Sequence, residues 1–480
     1  DLKEIRQFRE GIVFILPTFR SPLWSMKESS ELAGEEFRRL EKICGELWIE
    51  VNALTHPAEF SDSIYWWRLV ADNNLYDKTL LSTDVRCHNN EHYDVLESLF
   101  CLRDRKVLSD ENHYKPGPDH HLKSEDELKK ILEESYNTFN WKRTLENTDK
   151  LAGECSVELP TTDSVKFRYS GDKLELMRLM IEEGIVDRNL QHSVEFDERL
   201  EYELKLVKEK GFIDYFLVIR DLIKHAKDSG IIVGPARGSA AGSLVCYLLH
   251  IVDINPLKYG LMFERFIDVN RTDMPDIDID FQDDRRDEVK AYLVEKYGED
   301  KVGTLMTTMT FKGKMCLQDL GRVGEVPRDK TVFIKDQIIE RSGGDSRAGF
   351  TIEDALASNE KIRVVFDEFP ILRQAQVLEG RYRQFGQHAA GVVISNEPLT
   401  DIVAFYQRAG QRIVSITGKE AESYGLLKID LLGLNTLTVL DKTLKLIEKT
   451  SGLKLCLQDI PLNDATVYES FPDKYTLSSI

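Results

Sequence analysis

The residues best suited by type and spacing to do chemistry are Pro275-Asp276-Ile277-Asp278-Ile279-Asp280-Phe281. In an extended chain, side chains alternate between faces and each residue advances about 3.3 Å. Asp276, Asp278 and Asp280 then share one face, while Ile277, Ile279 and Phe281 turn toward a core. A row of carboxylates repels itself and raises its own proton affinity, so it needs solvent or cations. Alternate carboxylates about 6–7 Å apart along a strand can share a pair of Mg²⁺ ions. Mg²⁺ takes oxygen ligands and usually substrate phosphates as well. An acidic edge strand or a calcium loop is the alternative, but calcium loops use glycine and irregular backbone where this segment alternates isoleucine.

Another carboxylate lies in the apolar run Leu426-Leu427-Lys428-Ile429-Asp430-Leu431-Leu432. Alternation puts Lys428 and Asp430 on one face. A charged pair among leucines must be compensated, by each other or by a ligand, and the residues leave both readings open. The third element is Gly234-Pro235-Ala236-Arg237-Gly238-Ser239-Ala240-Ala241-Gly242-Ser243. Small residues let backbone N–H groups approach phosphate oxygens, and the start of a following helix favours anions. Arg237 adds a charged donor and Ser239 a hydroxyl, although close packing also uses such residues. The turn is neither a P-loop nor a dinucleotide fingerprint. A phosphate turn, then D-x-D on a strand, then a distant strand with one more Asp resembles the order in the polymerase-β-type nucleotidyltransferases.

These groups need elements to hold them. Ile231 to Val233 predicts a short strand before the turn, and Ser243 to Leu249 a helix after it. Helical periodicity runs from Asp197 to Ser229, with Leu200, Leu204 and Val207 on one face, and again over 284–298. Residues 314–380 read as mostly helical, broken at Gly343-Gly344, and strands return at Gly391 to Ser395 and Leu426 to Leu431. The first 150 residues alternate apolar runs (Ile12 to Leu16, Leu47 to Val51, Thr79 to Ser82) with helical patterns at 28–43 and 124–152, as an α/β unit does. Ser109 to His121 reads as a polar loop, and Val157 to Pro160 as an extended linker. Asp119, His120, His121 and His113 match no zinc spacing and read as surface residues.

A chain of 480 residues has room for about three domains. Mean hydropathy is −0.34 and no apolar run approaches the roughly 20 residues of a membrane span. No cationic start with an apolar stretch reads as a secretory signal. Seven cysteines without C-x-x-C pairing read as reduced thiols, hence a cytoplasmic protein. The net charge of −19 speaks against a simple basic nucleic-acid clamp. Its distribution is uneven: residues 301–412 carry 16 basic and 14 acidic side chains, against 21 and 29 in residues 1–150.

Longer motifs sharpen this. GPARGSAAGSLVCYLLHIVDINPLKYGLMFERF, MPDIDIDF, RRDEV, TFKGKMCLQDLGRV, HAAGVVIS and LKIDLLGLNTLTVL follow one another between about residues 195 and 440. In content and order they resemble the C-family of bacterial replicative DNA polymerases, the polymerase III alpha family. The resemblance implies a multi-domain α/β fold. A partial PHP-like domain would span 1–150, a polymerase-β-like nucleotidyltransferase palm 151–307 and 388–435, an inserted helical thumb 308–387, and the start of the fingers 436–480. It implies template-directed DNA synthesis, in which a primer 3′-hydroxyl attacks the α-phosphate of a dNTP. Asp276, Asp278 and Asp430 would be the catalytic aspartates holding two Mg²⁺ ions, with Asp280 supportive. Gly238 and Ser239, with Arg237 and Lys428 beside them, would bind the nucleotide phosphates. Lys314, Arg381, Arg383 and His388 would contact DNA, although His388 reads equally as a core histidine. The implied partners are primer-template DNA, dNTPs, a sliding clamp, a clamp loader and proofreading subunits, with no membrane.

Three departures from the family accompany this. Ala236 stands where the family motif has glycine, which strains the turn only if its φ is positive. In Ser82-Thr83-Asp84-Val85-Arg86, Arg86 replaces a metal-binding histidine, and His-rich metal motifs are missing from the start. A PHP nuclease activity is therefore not expected. The family's fingers, clamp-binding region and OB-like domain have no counterpart, so the chain reads as part of a longer enzyme or a split-gene half. The rival expectations are a non-catalytic palm-fold protein that binds DNA or partners, and an error-prone lesion-bypass relative. Retention of all three aspartates argues against the first.

Overall fold

The structure is a computed structural model that describes residues 2–18, 21–270, 274–340, 351–408, 410–457, 460–461 and 463–469. The break expected at Gly343-Gly344 and the last residues of the expected fingers lie outside that set. The fold is mixed α/β and divides into two compact units, Asp1–Glu158 with Thr310–Arg383, and Leu159–Met309 with Gln384–Ile480.

In the first unit the three apolar runs form strands β1 (Val13–Leu16), β2 (Glu46–Asn52) and β3 (Thr79–Ser82), ordered β1-β2-β3 and paired in parallel. Parallel neighbours need crossovers, supplied by helices α2 (Ser30–Cys44) and α3 (Pro57–Asp72). Ser29 caps α2 by accepting from the Leu32 N–H, and the apolar face buries Phe37 and Leu40. Trp66 and Trp67 of α3 are fully buried, the Trp67 indole N–H donating to the Asn52 carbonyl. Short helix α1 (Leu2–Phe8) precedes the sheet, and α4 (Tyr93–Asp104), α5 (Glu125–Ser135) and α6 (Trp141–Glu154) follow it. The helix expected over 124–152 is thus two helices. Among the described residues, five more α-helices follow: α12 (Gly313–Val323), α13 (Arg328–Lys335), α14 (Ile352–Ser358), α15 (Glu360–Glu368) and α16 (Gln374–Leu378). Leu317, Leu320, Ile334, Ile352, Phe366 and Leu372 form their core.

The Ser109 to His121 stretch corrects the surface reading of its histidines. His120 is 1% exposed, its Nε2 2.9 Å from Glu59 Oε1 and its Nδ1 3.3 Å from Asp84 Oδ2. His113 is also buried, 2.7 Å from Glu97 Oε1. Asp119 Oδ2 accepts from the Thr55 N–H (2.6 Å), the Thr55 hydroxyl (2.7 Å) and the His56 N–H (2.8 Å). Among these histidines only His121, paired with Glu127 at 2.7 Å, keeps part of its surface in solvent, as Asp119 also does. A buried imidazole is tolerated because carboxylates face it, and those of His120 lie 36 and 61 positions away in the sequence, beyond the reach of a local reading. Burial draws the His120 proton affinity down, but the bonds to Asp84 and Glu59 outweigh it and lift the pKa to about 9. Asp84, half-buried but bonded to His120 and Arg86, falls to about 2.

The second unit holds a six-stranded sheet, ordered β4-β9-β6-β5-β8-β7. Its strands are β4 (Ile279–Gln282), β5 (Val302–Thr310), β6 (Tyr382–Ile394), β7 (Phe405–Arg408), β8 (Gln411–Val414) and β9 (Leu427–Leu434). β4 runs parallel to β9, with Ile279 opposite Leu431, and β6 runs antiparallel to β9, with Gly391 opposite Asp430. Its helices are α7 (Lys173–Asp187), α8 (Val194–Glu209), α9 (Ile213–Asp228), α10 (Leu244–Leu248), α11 (Arg286–Tyr297), α17 (Gly418–Ser423), α18 (Asn435–Ser451) and α19 (Ala465–Glu469). Phe216, Leu222, Leu244, Phe263, Phe281, Ile429 and Leu431 share one core.

Two strand expectations shrink. Ile231 to Val233 makes a single bridge, Val233 to Phe281, because Gly234-Pro235 turns the chain away at once. The aspartate segment enters the ladder only at Ile279, and Asp276 and Asp278 precede it. Its alternation survives: Pro275, Ile277, Ile279 and Phe281 are buried, while Asp276 is exposed. The buried hydroxyl of Tyr215 on α9 replaces a neighbouring strand by accepting from the Ile277 N–H at 3.0 Å.

Close packing of α7 on α10 depends on a glycine. A Cβ on Gly184 would lie 1.9 Å from the Leu248 carbonyl oxygen, a backbone atom that cannot swing away. Gly184→Ala is expected to destabilise the second unit by about 3 kcal/mol. Urea unfolding followed by tryptophan-independent circular dichroism measures it, and an unchanged midpoint would contradict the packing described.

Candidate active site

The extended segment that leads into β4 and strand β9 bring the carboxylates together. Asp276, Asp278 and Asp430 each place an oxygen within 4.8 Å of the other two. Burial, and then the charges of Asp276 and Asp430, push the Asp278 pKa up. Asp430 is buried in β9, and its Oδ1 has no hydrogen-bond partner. A buried carboxylate oxygen left unpaired costs free energy unless a cation or donor arrives. Oxygen ligands of this kind fit Mg²⁺, and the donor set therefore suits the group that the sequence implied.

Lys428 and Asp430 do share a face, as alternation required. The Lys428 ammonium lies 2.7 Å from Asp430 Oδ2 and 3.9 Å from Asp276 Oδ1. Burial pulls its pKa down, but the bond to Asp430 overrides this and the net shift is upward, so the side chain stays charged. Asp280 stands apart from the trio. Arg237 Nη1 donates to its Oδ1 at 2.9 Å, while Arg237 Nε is 3.7 Å from Asp278 Oδ2. Arg237 thus bridges the glycine-serine turn to the aspartate strand.

The turn itself is a short 3-10 segment, Gly238–Gly242. Arg237, Gly238 and Ser239 are exposed. Gly238 has φ +60°, a conformation that suits glycine, and a Cβ there would sit 3.9 Å from Asp278 Oδ2. Ala236 has no positive φ, so alanine costs the turn nothing at that position. One expectation is overturned. The start of α10 is not open to a phosphate, because Glu203 Oε1 accepts from the Leu244 N–H and Oε2 from the Val245 N–H, at 2.9 and 3.0 Å. The Ser243 hydroxyl caps the Cys246 N–H at 3.1 Å.

The expected DNA contacts separate. Lys314, Arg381 and Arg383 belong to the first unit, and the carboxylates and the turn to the second. Arg381 is exposed; Arg383 pairs with Asp319 at 3.0 Å and lies over the Phe311 ring. His388 lies in the second unit on β6. Its Nδ1 accepts from the Gly391 N–H at 2.6 Å, which leaves the proton on Nε2. Gly391 faces Asp430 across the ladder, and a Cβ on Gly391 would lie 2.8 Å from His388 Nδ1. Cross-strand partners point to the same side, so the imidazole sits on the face that carries Asp430. It is half-buried.

Tyr215, Arg199 and Glu203 escaped the sequence reading. Glu203 had a visible signal, an acidic residue within the apolar stripe of α8 beside Leu200, Leu204 and Val207.

Residues 175–433 match the family model described as the bacterial DNA polymerase III alpha NTPase domain, an interval that contains the turn, the three aspartates and His388. The chain belongs to the bacterial DNA polymerase III alpha family. It is 37% identical over 483 residues to the DNA polymerase III subunit alpha of Bacillus subtilis (strain 168), covering 96% of this chain and 41% of that protein. To the subunit alpha of Aquifex aeolicus (strain VF5) it is 31% identical over 525 residues, covering 98% and 43%. To that of Caulobacter vibrioides (strain NA1000 / CB15N) it is 34% identical over 410 residues, covering 82% and 35%. The chain thus spans well under half the length of these polymerase III alpha relatives.

Proposed function

We propose that this chain carries the palm of a DNA-directed DNA polymerase, which adds dNTPs to a primer 3′-hydroxyl. The observation that carries the reading is the trio Asp276, Asp278 and Asp430, with its unpartnered buried oxygen, set against a glycine turn. The second unit is read as palm with the start of the fingers, residues 308–387 as a thumb, and residues 1–150 as a PHP-like domain. That domain is read as structural, because Arg86 donates through Nε and Nη2 to Asp84, at 3.1 and 2.8 Å.

Asp276, Asp278 and Asp430 are the residues that would hold two Mg²⁺ ions. Such ions supply an activated hydroxyl nucleophile and neutralise charge on the transferring phosphoryl group and the leaving pyrophosphate. The protein's share is positioning and electrostatics. Gly238 and Ser239 offer backbone N–H groups and a hydroxyl to the triphosphate, and Arg237 a guanidinium. Lys428 balances the carboxylates and provides a mobile ammonium for a phosphate oxygen. His388, its Nε2–H free to donate, is read as a contact to a primer phosphate. Lys314, Arg381 and Arg383 are read as duplex contacts. Primer-template DNA and dNTPs are the proposed substrates; a sliding clamp, a clamp loader and proofreading subunits are the proposed partners. Among the described residues no helix is long and apolar enough to cross a membrane, in keeping with a proposed cytoplasmic site of action.

Mn²⁺ binding followed by electron paramagnetic resonance tests the site. Wild type is expected to bind two ions in the presence of a dNTP, and Asp278→Asn to lose at least about tenfold in affinity. A wild-type chain that binds no Mn²⁺ contradicts the reading.

A further inference from the structure

Glu203 is the most deeply buried carboxylate among the described residues of the second unit, at 0% exposure, yet it touches none of the three aspartates. Burying a carboxylate costs several kcal/mol unless its oxygens are fully engaged. Here they are. Oε1 accepts from the Leu244 N–H at 2.9 Å and from Arg199 Nε at 2.7 Å. Oε2 accepts from the Ser243 hydroxyl at 2.8 Å and from the Val245 N–H at 3.0 Å. Arg199 goes further and donates through Nη2 to the Gly242 carbonyl at 2.8 Å and the Leu261 carbonyl at 3.2 Å. One end of the glycine-serine turn is thereby tied to two residues of a single helix turn on α8. The other end is tied to the aspartate strand, since the Gly234 N–H donates to the Asp280 carbonyl at 2.8 Å. Between the two ties lie Arg237, Gly238 and Ser239, the exposed residues.

We propose that Glu203, held by Arg199, is a positioning residue that fixes the Gly238–Ser243 turn for the triphosphate of an incoming nucleotide. The inference deepens the palm reading and rests on it. Glu203 occupies the anion position at the start of α10, so a triphosphate is turned away from that helix and toward Arg237, Gly238 and Ser239. Arg199 neutralises the buried charge, so the support adds no net repulsion toward phosphate. A carboxylate is required because all four groups that face it are donors. An amide at this position would present its own N–H₂ to at least one of them.

The experiment is competition binding on the full chain in Mg²⁺, with a fluorescent dNTP displaced by dNTP or dNMP. A primer-template titration and a melting curve accompany it. Wild type is expected to prefer dNTP over dNMP. Glu203→Gln should lose about tenfold in dNTP affinity while its dNMP and DNA affinities stay within about twofold. Arg199→Met leaves the Leu244, Val245 and Ser243 donors to Glu203 in place and removes the Nε bond to Oε1 with its charge, together with the Gly242 and Leu261 ties. It should shift the same preference in the same direction by less, and it serves if Glu203→Gln does not fold. Retention of the wild-type preference in the folded variants overturns the inference. So does an equal loss of dNTP, dNMP and DNA binding, which marks a merely structural role. A wild-type chain without any triphosphate preference overturns the palm reading first, and this inference with it.

Discussion

Asp430→Asn is expected to abolish primer extension, lowering the rate at least about a thousandfold while primer-template affinity stays within about twofold. Asparagine keeps the shape and the β9 register but removes the charge. Asp430 is the buried member of the trio, and its Oδ1 is the oxygen without a partner. Lys428, 2.7 Å away, would lose its counter-charge, so a control is needed for local disorder. Asp276→Ala supplies it, because Asp276 is exposed and lies outside the ladder. Both variants should fail alike, and Mn²⁺ should not restore either. Wild-type extension by either variant would remove the trio from the chemistry. The assay reads single-nucleotide incorporation on a labelled primer, by the chain alone or within a longer polypeptide.

The second large effect concerns stability. His120→Ala should destabilise the first unit by about 3–5 kcal/mol, because it leaves Glu59 and Asp84 facing each other without their shared partner. The pH dependence has a defined sign. The His120 pKa is raised to about 9 in the folded protein, against roughly 6.5 in an unfolded chain. Its contribution is therefore complete below about pH 6.5 and fades as pH rises through 9. Asp84, lowered to about 2, acts in the opposite direction, its contribution fading as pH falls from about 4 toward 2. Urea midpoints for wild type and His120→Ala should differ most between about pH 4 and 6.5 and converge above pH 9. A difference independent of pH would mean that the imidazole is buried neutral.

Much of the site was legible because it is written in short-range alternation. Asp276 and Asp278 with their intervening isoleucines, and Lys428 with Asp430, disclose faces without any knowledge of neighbours. The turn was legible by composition. What failed was whatever depends on a distant partner. His120 read as surface because Glu59 and Asp84, which make its burial tolerable, lie far away in the sequence. The start of α10 read as an anion site because its anion, Glu203, sits some 40 residues earlier on α8. The strand before Gly234 shrank to one bridge, to Phe281, because Gly234-Pro235 turns the chain away at once.

The sheet order β4-β9-β6 has a consequence for how the protein comes to exist. Asp430 is some 150 residues downstream of Asp276 and Asp278, and between them the chain contributes Thr310–Arg383 to the other unit before returning. During synthesis the aspartates near β4 emerge long before their partner strand, so the cluster closes only when β9 has left the ribosome. Pairing at such separation is slow, and its closure comes late in folding. On the proposed reading, divalent ions would bind the closed cluster in preference to any nascent one, and by mass action they would favour the last step of its assembly.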